Sequence, residues 1–128
     1  MDSISNMITH IKNAGHAGRH NVVITYSNLK ADIAKVLKEE GFIKDFRKLT
    51  RDSKQFLSLD LLIDNRIPKV KGVKRISKSS KRVYKKAAEI RPVRQGYGLL
   101  VLSTPKGVMA GYKAKRAKLG GEALFSIW

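Results

Sequence analysis

A pair of hydroxyl residues follows an apolar run late in the chain, at a place where such side chains can contact a ligand. Leu99 to Leu102 predict a buried strand, and Ser103 and Thr104 stand where that strand emerges into a loop. Hydroxyl groups donate and accept hydrogen bonds, so both could contact polar groups of a ligand. On local sequence alone, the favoured alternative is a turn in which the hydroxyls bond their own backbone.

A run of ten basic residues without an acidic one occupies positions 66–86. The side chains expected to contact phosphates are those of Lys74, Arg75, Lys78, Lys81 and Arg82, together with Lys106 beside the hydroxyl pair. Phosphate contacts give affinity and a strong dependence on salt, but they specify little sequence. A run of this kind is a solvated tail as often as it is part of a folded binding surface. Here Val73, Ile76 and Val83 interrupt it, which indicates that the run is anchored to a fold.

The hydroxyl pair and the basic side chains named above are candidates for RNA binding, and four further residues join them. Tyr84 could stack on an unpaired base or pack as a half-buried strand residue. Gly120 and Gly121 suit a close approach of the backbone to RNA, although a simple helix stop explains them equally well. Glu122 could accept hydrogen bonds from base amino groups or orient a neighbouring Lys or Arg.

The sequence offers few residues that could act in catalysis or bind a metal ion. The chain has no cysteine, and it lacks phosphate-binding-loop, zinc-protease and serine-hydrolase motifs. An RNA-hydrolysing enzyme with metal ions needs several convergent carboxylates, and the basic half offers only Glu89 and Glu122. A metal site at His10, His16 and His20 would need three converging neutral imidazoles, so exposed or RNA-adjacent histidines are favoured. The sequence predicts no catalytic residue, no metal site, no cofactor and no enzymatic activity.

The net charge of +17 indicates a polyanionic partner, with nucleic acid first and an anionic membrane second. The charge is asymmetric, because residues 1–65 carry 10 basic and 8 acidic residues and residues 66–128 carry 17 and 2. No stretch reaches the roughly 20 apolar residues that cross a bilayer, and no signal peptide is evident. We therefore expect a protein of the cytoplasm or of an organelle matrix.

Hydrophobic periodicity predicts an α+β protein of two small domains. The first, over residues 1–64, should fold as αβαββ. Its first helix is capped by Asp2 or Ser3 and stopped by Gly15, and its second runs from a Ser27 cap to about Glu40, with Leu29 on the core side. Its last two strands, 42–49 and 55–63, should be joined by residues 50–54.

A linker is expected over residues 65–72, where turn formers coincide with the step in charge. The second domain, 73–128, should be mostly β, since it contains short apolar runs separated by Gly, Pro and Ser. One of these runs is at residues 89–90. The domain should contain one short helix near residues 112–118, stopped by Gly120 and Gly121 before a final strand.

Several motifs agree in order and spacing with one known family. They are Ile11–Ala14, Glu40–Ile43, Lys74–Lys78, Arg82–Tyr84, Gly98–Met109 and Gly120–Trp128. Together they closely resemble small-subunit ribosomal protein eight of the bacterial type. The resemblance implies an α/β N-terminal domain, a β-rich C-terminal domain and direct binding to a helix in the central domain of the small-subunit ribosomal RNA during assembly.

The resemblance also implies partners and further contacts. Expected partners are that ribosomal RNA, neighbouring small-subunit proteins and the message of its own operon, which members of the family tend to repress; the free protein should be a monomer without a membrane partner. By the same resemblance, Lys12, Asn13, Ser27 and Lys30 occupy positions that touch the RNA minor groove. Pro105 stands where the family usually has a third hydroxyl. The alternative function is a DNA-binding regulatory or architectural protein, which would need a groove-sized reading helix.

Overall fold

Within residues 3–128, which the computed structural model describes, three α-helices and ten β-strands give the predicted α+β class. The chain divides into two units, Ser3–Lys71 and Gly72–Trp128, and each unit has its own antiparallel sheet. Asp2, one of the two expected helix caps, lies outside the described residues. None of the helices in residues 3–128 has the length and apolarity needed to cross a membrane.

The first unit follows the predicted αβαββ order and then adds a small hairpin. Its elements are α1 (Ser3–His16), β1 (Asn21–Thr25), α2 (Asn28–Glu39), β2 (Ile43–Arg51), β3 (Lys54–Leu61), β4 (Ile63–Asp64) and β5 (Ile67–Pro68). The main sheet has the order β1-β3-β2, with β3 antiparallel to both neighbours. α2 packs on β2 and α1 on β1, which encloses Ile33, Leu37 and Leu59 completely.

Helix α2 begins and ends where the sequence predicts. The Ser27 side chain accepts a hydrogen bond from the Lys30 backbone N–H at 3.1 Å, and Gly41 leaves the helix with a φ of +79°. The core face is rotated slightly from the prediction, however. Leu29, expected on the core side, is exposed, and Lys30 is buried beside it.

Helix α1 does not stop at Gly15, so that prediction is wrong. The helix continues to His16, and the chain turns away at Gly18, whose φ is +78°. Gly15 is buried inside the helix, and Pro68 packs against it so closely that a Cβ at Gly15 would lie 3.0 Å from the Cβ of Pro68. Its glycine signal therefore reports close packing, which local sequence does not distinguish from a helix stop.

The β2–β3 hairpin is tighter than predicted. Its loop contains only Asp52 and Ser53, with φ values of +50° and +64°, in place of the expected residues 50–54. Two consecutive left-handed residues give the twist that suits a two-residue hairpin. Strand β5 lies inside the segment 65–72 that was expected to be a linker, where it pairs with β4.

The second unit is mostly β, as predicted. Its elements are β6 (Val73–Arg75), β7 (Tyr84–Lys85), β8 (Leu99–Thr104), β9 (Gly107–Ala110), α3 (Gly111–Arg116) and β10 (Gly121–Ile127). The sheet order is β6-β10-β8-β9, and β7 pairs with the start of β10. Ile90, Leu102, Ala114 and Ala123 form a buried cluster under α3.

Three details of this unit differ from the sequence prediction. The apolar run at residues 89–90 adjoins a short 3-10 helix, Ala87–Glu89, instead of forming a strand. Strand β9 was not predicted, although it forms a hairpin with β8. Helix α3 ends at Arg116, four residues before the two glycines, and the chain turns at Lys118 with a φ of +59°. The glycines are therefore not the helix stop.

Candidate nucleic-acid interface

Three of the predicted binding residues form a row across neighbouring strands of the second unit. Glu122 of β10 lies directly opposite Tyr84 of β7 on one side and Ser103 of β8 on the other. Residues directly opposite each other in an antiparallel pair project from the same face, with Cβ atoms about 5 Å apart. The three side chains therefore lie side by side on one face of the sheet, and we call them the cross-strand row.

The members of the row differ in exposure. Tyr84 is 70% exposed, so it is not a half-buried core residue. Ser103 is half-buried, and its hydroxyl makes no hydrogen bond to any of residues 3–128. The Glu122 side chain is only 18% exposed. A fixed carboxylate thus lies between a free hydroxyl and an exposed aromatic ring.

Glu122 is held by two donors from the segment between β6 and β7. The hydroxyl of the fully buried Ser77 donates to Oε2, and the Arg82 guanidinium donates to the same oxygen at 3.0 Å. Ser77 also accepts a hydrogen bond from the Val83 N–H at 3.2 Å. The other carboxylate oxygen, Oε1, accepts no hydrogen bond from residues 3–128, so it can accept one from a ligand.

The surroundings keep this carboxylate ionised. Burial by itself raises the pKa of Glu122, but hydrogen bonds from Ser77 and Arg82 and the charges of Arg82 and Arg75 outweigh it, so the pKa lies below its usual value. Glu122 therefore offers an acceptor, not a donor, at neutral pH. It also orients Arg82, whose side chain remains half exposed and is available to a phosphate.

Thr104 has a different position from Ser103. It is buried, and its hydroxyl donates to the Gly107 carbonyl at 2.7 Å and accepts from the Lys106 N–H at 3.2 Å. These bonds close the β8–β9 hairpin around Pro105 and Lys106, whose side chains are exposed. For Thr104 the structure shows the local backbone-bonding arrangement that the sequence left open as the alternative.

Gly120 and Gly121 are required by contacts within the protein. A Cβ at Gly121 would lie 2.2 Å from the Ser103 carbonyl oxygen, and one at Gly120 would lie 2.6 Å from that of Lys85. Real Cβ atoms do not approach a carbonyl oxygen so closely. The two glycines therefore allow β10 to enter between β7 and β8 and to place Glu122 in the row.

Residues 73–86 of the basic run belong to the second unit, where β6 and β7 pair with β10. Lys78 and Lys81 exchange two backbone hydrogen bonds of 2.9 and 3.0 Å, which makes Ser79 and Ser80 the tip of a tight turn. The side chains of Lys74, Lys78 and Lys81 are exposed. That of Arg75 is half-buried, and its guanidinium donates to the Leu124 carbonyl.

The first unit carries the other four predicted residues on its two helices and their connection. Lys12 and Asn13 lie near the end of α1, and Ser27 caps α2. Lys30 is buried, and its ammonium donates to the carbonyl and hydroxyl oxygens of Thr25 at 2.9 and 2.8 Å. Burial lowers the pKa of Lys30. The two hydrogen bonds to Thr25 tie the end of β1 to α2.

Ser77 is the residue of this site that sequence reasoning missed. It stands 45 positions before Glu122, and nothing in a single sequence links two residues at that separation.

Among residues 3–128, no group of three or more histidine or acidic side chains is arranged to hold a metal ion. What the arrangement provides is hydrogen bonding, one aromatic face and positive charge.

Comparisons with known proteins were made over the whole sequence. A family described as "Ribosomal protein S8" matches residues 2–128. A protein of Chloroflexus aggregans named "Small ribosomal subunit protein uS8" is 42% identical over 130 residues, which cover 99% of this chain and 97% of the relative. Proteins of the same name from Roseiflexus castenholzii and Ruminiclostridium cellulolyticum are 42% and 41% identical, with the same coverage.

Proposed function

The chain belongs to the ribosomal protein S8 family of the small ribosomal subunit, and we propose that it binds that subunit's RNA directly. As a member of this family it is a structural constituent of the ribosome and not an enzyme. The proposed target is a helix in the central domain of the small-subunit RNA. The observation that carries this proposal is the cross-strand row, in which Tyr84, Glu122 and Ser103 lie on one face beside the basic run.

The row suits an irregular RNA segment better than a regular duplex. An A-form helix hides its base edges in a deep, narrow groove, whereas a distorted internal loop exposes bases and 2′-hydroxyl groups. Ser103 can donate to or accept from such a group, and Oε1 of Glu122 can accept from a base amino group. The exposed Tyr84 ring can stack on an unpaired base, which contributes about 1–3 kcal/mol in comparable systems.

The basic side chains around the row supply affinity. Lys74, Lys78, Lys81 and Lys106 are exposed, and Arg82 is oriented by Glu122. Each phosphate that they neutralise releases counterions, so binding should weaken as salt rises. Gly120 and Gly121 contribute by positioning β10, and Arg75 contributes positive charge near Glu122.

We further propose contacts from the first unit to the RNA minor groove. Lys12, Asn13 and Ser27 are the side chains suited to this role, since Ser27 can cap a helix and still accept a bond from a 2′-hydroxyl. For Lys30 we propose an indirect role. Its ammonium fixes Thr25 and thereby the connection that carries Ser27.

In the ribosome this binding would serve subunit assembly, with neighbouring small-subunit proteins as further partners. By the same surface the protein would bind and repress a message of its own operon that mimics the ribosomal site. We place the protein in the cytoplasm, bound to the ribosome. The alternative of a DNA-binding regulator has little support, because α3, the one α-helix of the strongly basic second unit (72–128), has six residues and spans only about 9 Å.

A binding assay with two RNAs tests the proposal. The purified protein should bind a central-domain fragment of small-subunit RNA with a dissociation constant of about 10 nM or below at physiological salt, and an unrelated duplex at least about 1,000-fold more weakly. Ser103→Ala should weaken binding to the fragment roughly fivefold or more. Ser79→Ala is the matched control, because it removes an exposed hydroxyl amid the same charge but outside the row. Equal affinity of the wild-type protein for both RNAs would refute direct recognition.

A further inference from the structure

A groove in the second unit lies on the face of the sheet opposite the cross-strand row. It consists of two adjoining cavities of about 330 and 430 Å³ that share Arg91, Pro92, Val93 and Leu100 as lining residues. Val83 also lines it. Because side chains alternate along a strand, Val83 and Leu100 project from the face opposite Tyr84 and Ser103. We call this feature the 91–93 groove.

The lining of the 91–93 groove is strongly basic. Its charged lining residues are the cations Lys74, Lys85, Arg91 and Lys115 and a single carboxylate, Glu89. Arg75 also borders the groove, but its guanidinium donates to the Leu124 carbonyl and its charge acts on Glu122. That carboxylate accepts a hydrogen bond from the Lys86 N–H at 2.8 Å. The Lys115 ammonium donates to the Ile90 carbonyl at 3.1 Å, which holds its charge at the groove. An occupant of complementary charge must therefore be anionic.

One exposed tyrosine lines the smaller cavity of the groove, and a second lies next to that lining in the chain. Tyr112 lines that cavity and is 46% exposed. Tyr97 is 84% exposed and stands between two lining residues, Gly96 and Gly98. The turn before it places Arg94 and Gln95 in the left-handed region, with φ values of +49° and +56°.

We propose that the 91–93 groove is a second RNA-binding site, which takes a single-stranded segment with bases stacked on Tyr97 and Tyr112. Positive charge that follows a backbone, next to exposed aromatic rings, is the combination by which proteins bind single strands without reading their sequence. A duplex does not fit, because its stacked bases present no free face to a tyrosine. The inference rests on the proposed function in one respect, the choice of RNA as the anionic partner.

The geometry separates this site from the first one. The cross-strand row and the groove occupy opposite faces of one sheet, so the protein can hold a structured RNA segment on one face and a single strand on the other. A protein of this kind would join two parts of a folded RNA. Lys74 and Arg75 line the groove and belong to the basic run, so variants of those two residues do not separate the sites.

The test compares the affinity of the protein for two labelled RNAs. One is an eight-nucleotide single strand of mixed sequence, and the other is the structured central-domain fragment. Each dissociation constant is measured by fluorescence anisotropy at about 0.1 M salt. The double variant Tyr97→Ala/Tyr112→Ala should bind the oligonucleotide roughly tenfold more weakly than wild type and the fragment within twofold. Tyr84→Ala should show the reverse pattern. Tyr97→Phe keeps the stacking ring and should bind like wild type.

Several outcomes would overturn the proposal. They are failure of the wild-type protein to bind the oligonucleotide, wild-type affinity of the double variant for it, and displacement of the fragment by the oligonucleotide. If the double variant fails to fold, Tyr97→Ala alone decides, since that side chain is almost fully exposed. If the wild-type protein binds the oligonucleotide but does not bind the central-domain fragment, the proposed function is refuted and this inference is not.

Discussion

Replacing the central carboxylate of the cross-strand row by its neutral isostere, Glu122→Gln, should destabilise the second unit. The carboxylate accepts hydrogen bonds from Ser77 and Arg82 on one oxygen, in a site that is mostly shielded from water. The amide has nearly the same shape, so packing is unchanged and the loss of charge is isolated. The Arg82 guanidinium then loses its ionic partner.

The size of the effect follows from those two contacts. Hydrogen bonds to charged groups contribute about 1.5–3 kcal/mol each, against about 1 kcal/mol for neutral pairs. Relief of the desolvation of a charged group offsets part of this difference. We therefore expect the free energy of unfolding to fall by roughly 1–2 kcal/mol at pH 7.

The same reasoning fixes a dependence on pH. The pKa of Glu122 is lowered in the folded state, so its ionised form contributes stability above the unfolded pKa of about 4.3. That contribution disappears as the pH falls through the folded pKa. The difference in stability between wild type and Glu122→Gln should therefore be full at pH 6–7 and shrink below about pH 4.

Urea unfolding followed by the fluorescence of Trp128 measures this difference. Trp128 is the only tryptophan and belongs to the second unit, so the signal reports the unit that contains Glu122. Glu89→Gln is the matched control, since it neutralises an exposed carboxylate of the same unit and keeps an oxygen that can accept the hydrogen bond from the Lys86 N–H, so it should change stability by less than about 0.5 kcal/mol. A difference that stays constant from pH 7 to pH 3 would refute the assignment of the effect to the ionised carboxylate.

Three other substitutions test separate parts of the site. Thr104→Val should lower stability by about 1–2 kcal/mol in the same urea assay, because it breaks the hairpin bonds, whereas Ser103→Ala should leave stability within about 0.5 kcal/mol; the opposite order would contradict their assigned roles. The double variant Lys78→Gln/Lys81→Gln should make the plot of log affinity for the RNA fragment against log salt less steep, with the magnitude of its slope reduced by about 1–2. An unchanged slope would show that neither side chain contacts a phosphate. Gly121→Ala should cost about 3 kcal/mol or more, since its Cβ would meet the Ser103 carbonyl; a wild-type unfolding curve would refute the close approach.

Signals confined to one stretch of sequence gave reliable predictions of secondary structure. The Ser27 cap and the Gly41 exit define α2 because both act through backbone groups within a few residues. Strands β8 and β10 were predicted for a similar reason, since a short continuous apolar run bounded by turn residues is compatible with few other structures. The basic run could also be located from sequence, because charge is a property of the residues themselves.

Glycines other than Gly41 were the least reliable signal for the end of a helix. Gly15, Gly120 and Gly121 were all interpreted as possible stops, and each is instead a position where another chain segment approaches closely. A Cβ would clash with a backbone oxygen at Gly120 and Gly121 and would make a tight contact with Pro68 at Gly15. A stop is decided by the backbone angle at that residue, whereas a close approach is decided by a partner that lies far away in sequence. Nothing within a short window distinguishes the two cases.

The sequence by itself determined the α+β class, the concentration of positive charge in the second half and the family, since these depend on composition, local periodicity and motifs in order. Only the tertiary structure decided that Ser103 is free while Thr104 closes a hairpin, and that Ser77 and Arg82 hold Glu122. The physical reason is that strand register sets which side chains share a face. Register results from the packing of the whole sheet, so it joins residues such as Ser77 and Glu122 that the linear order keeps apart.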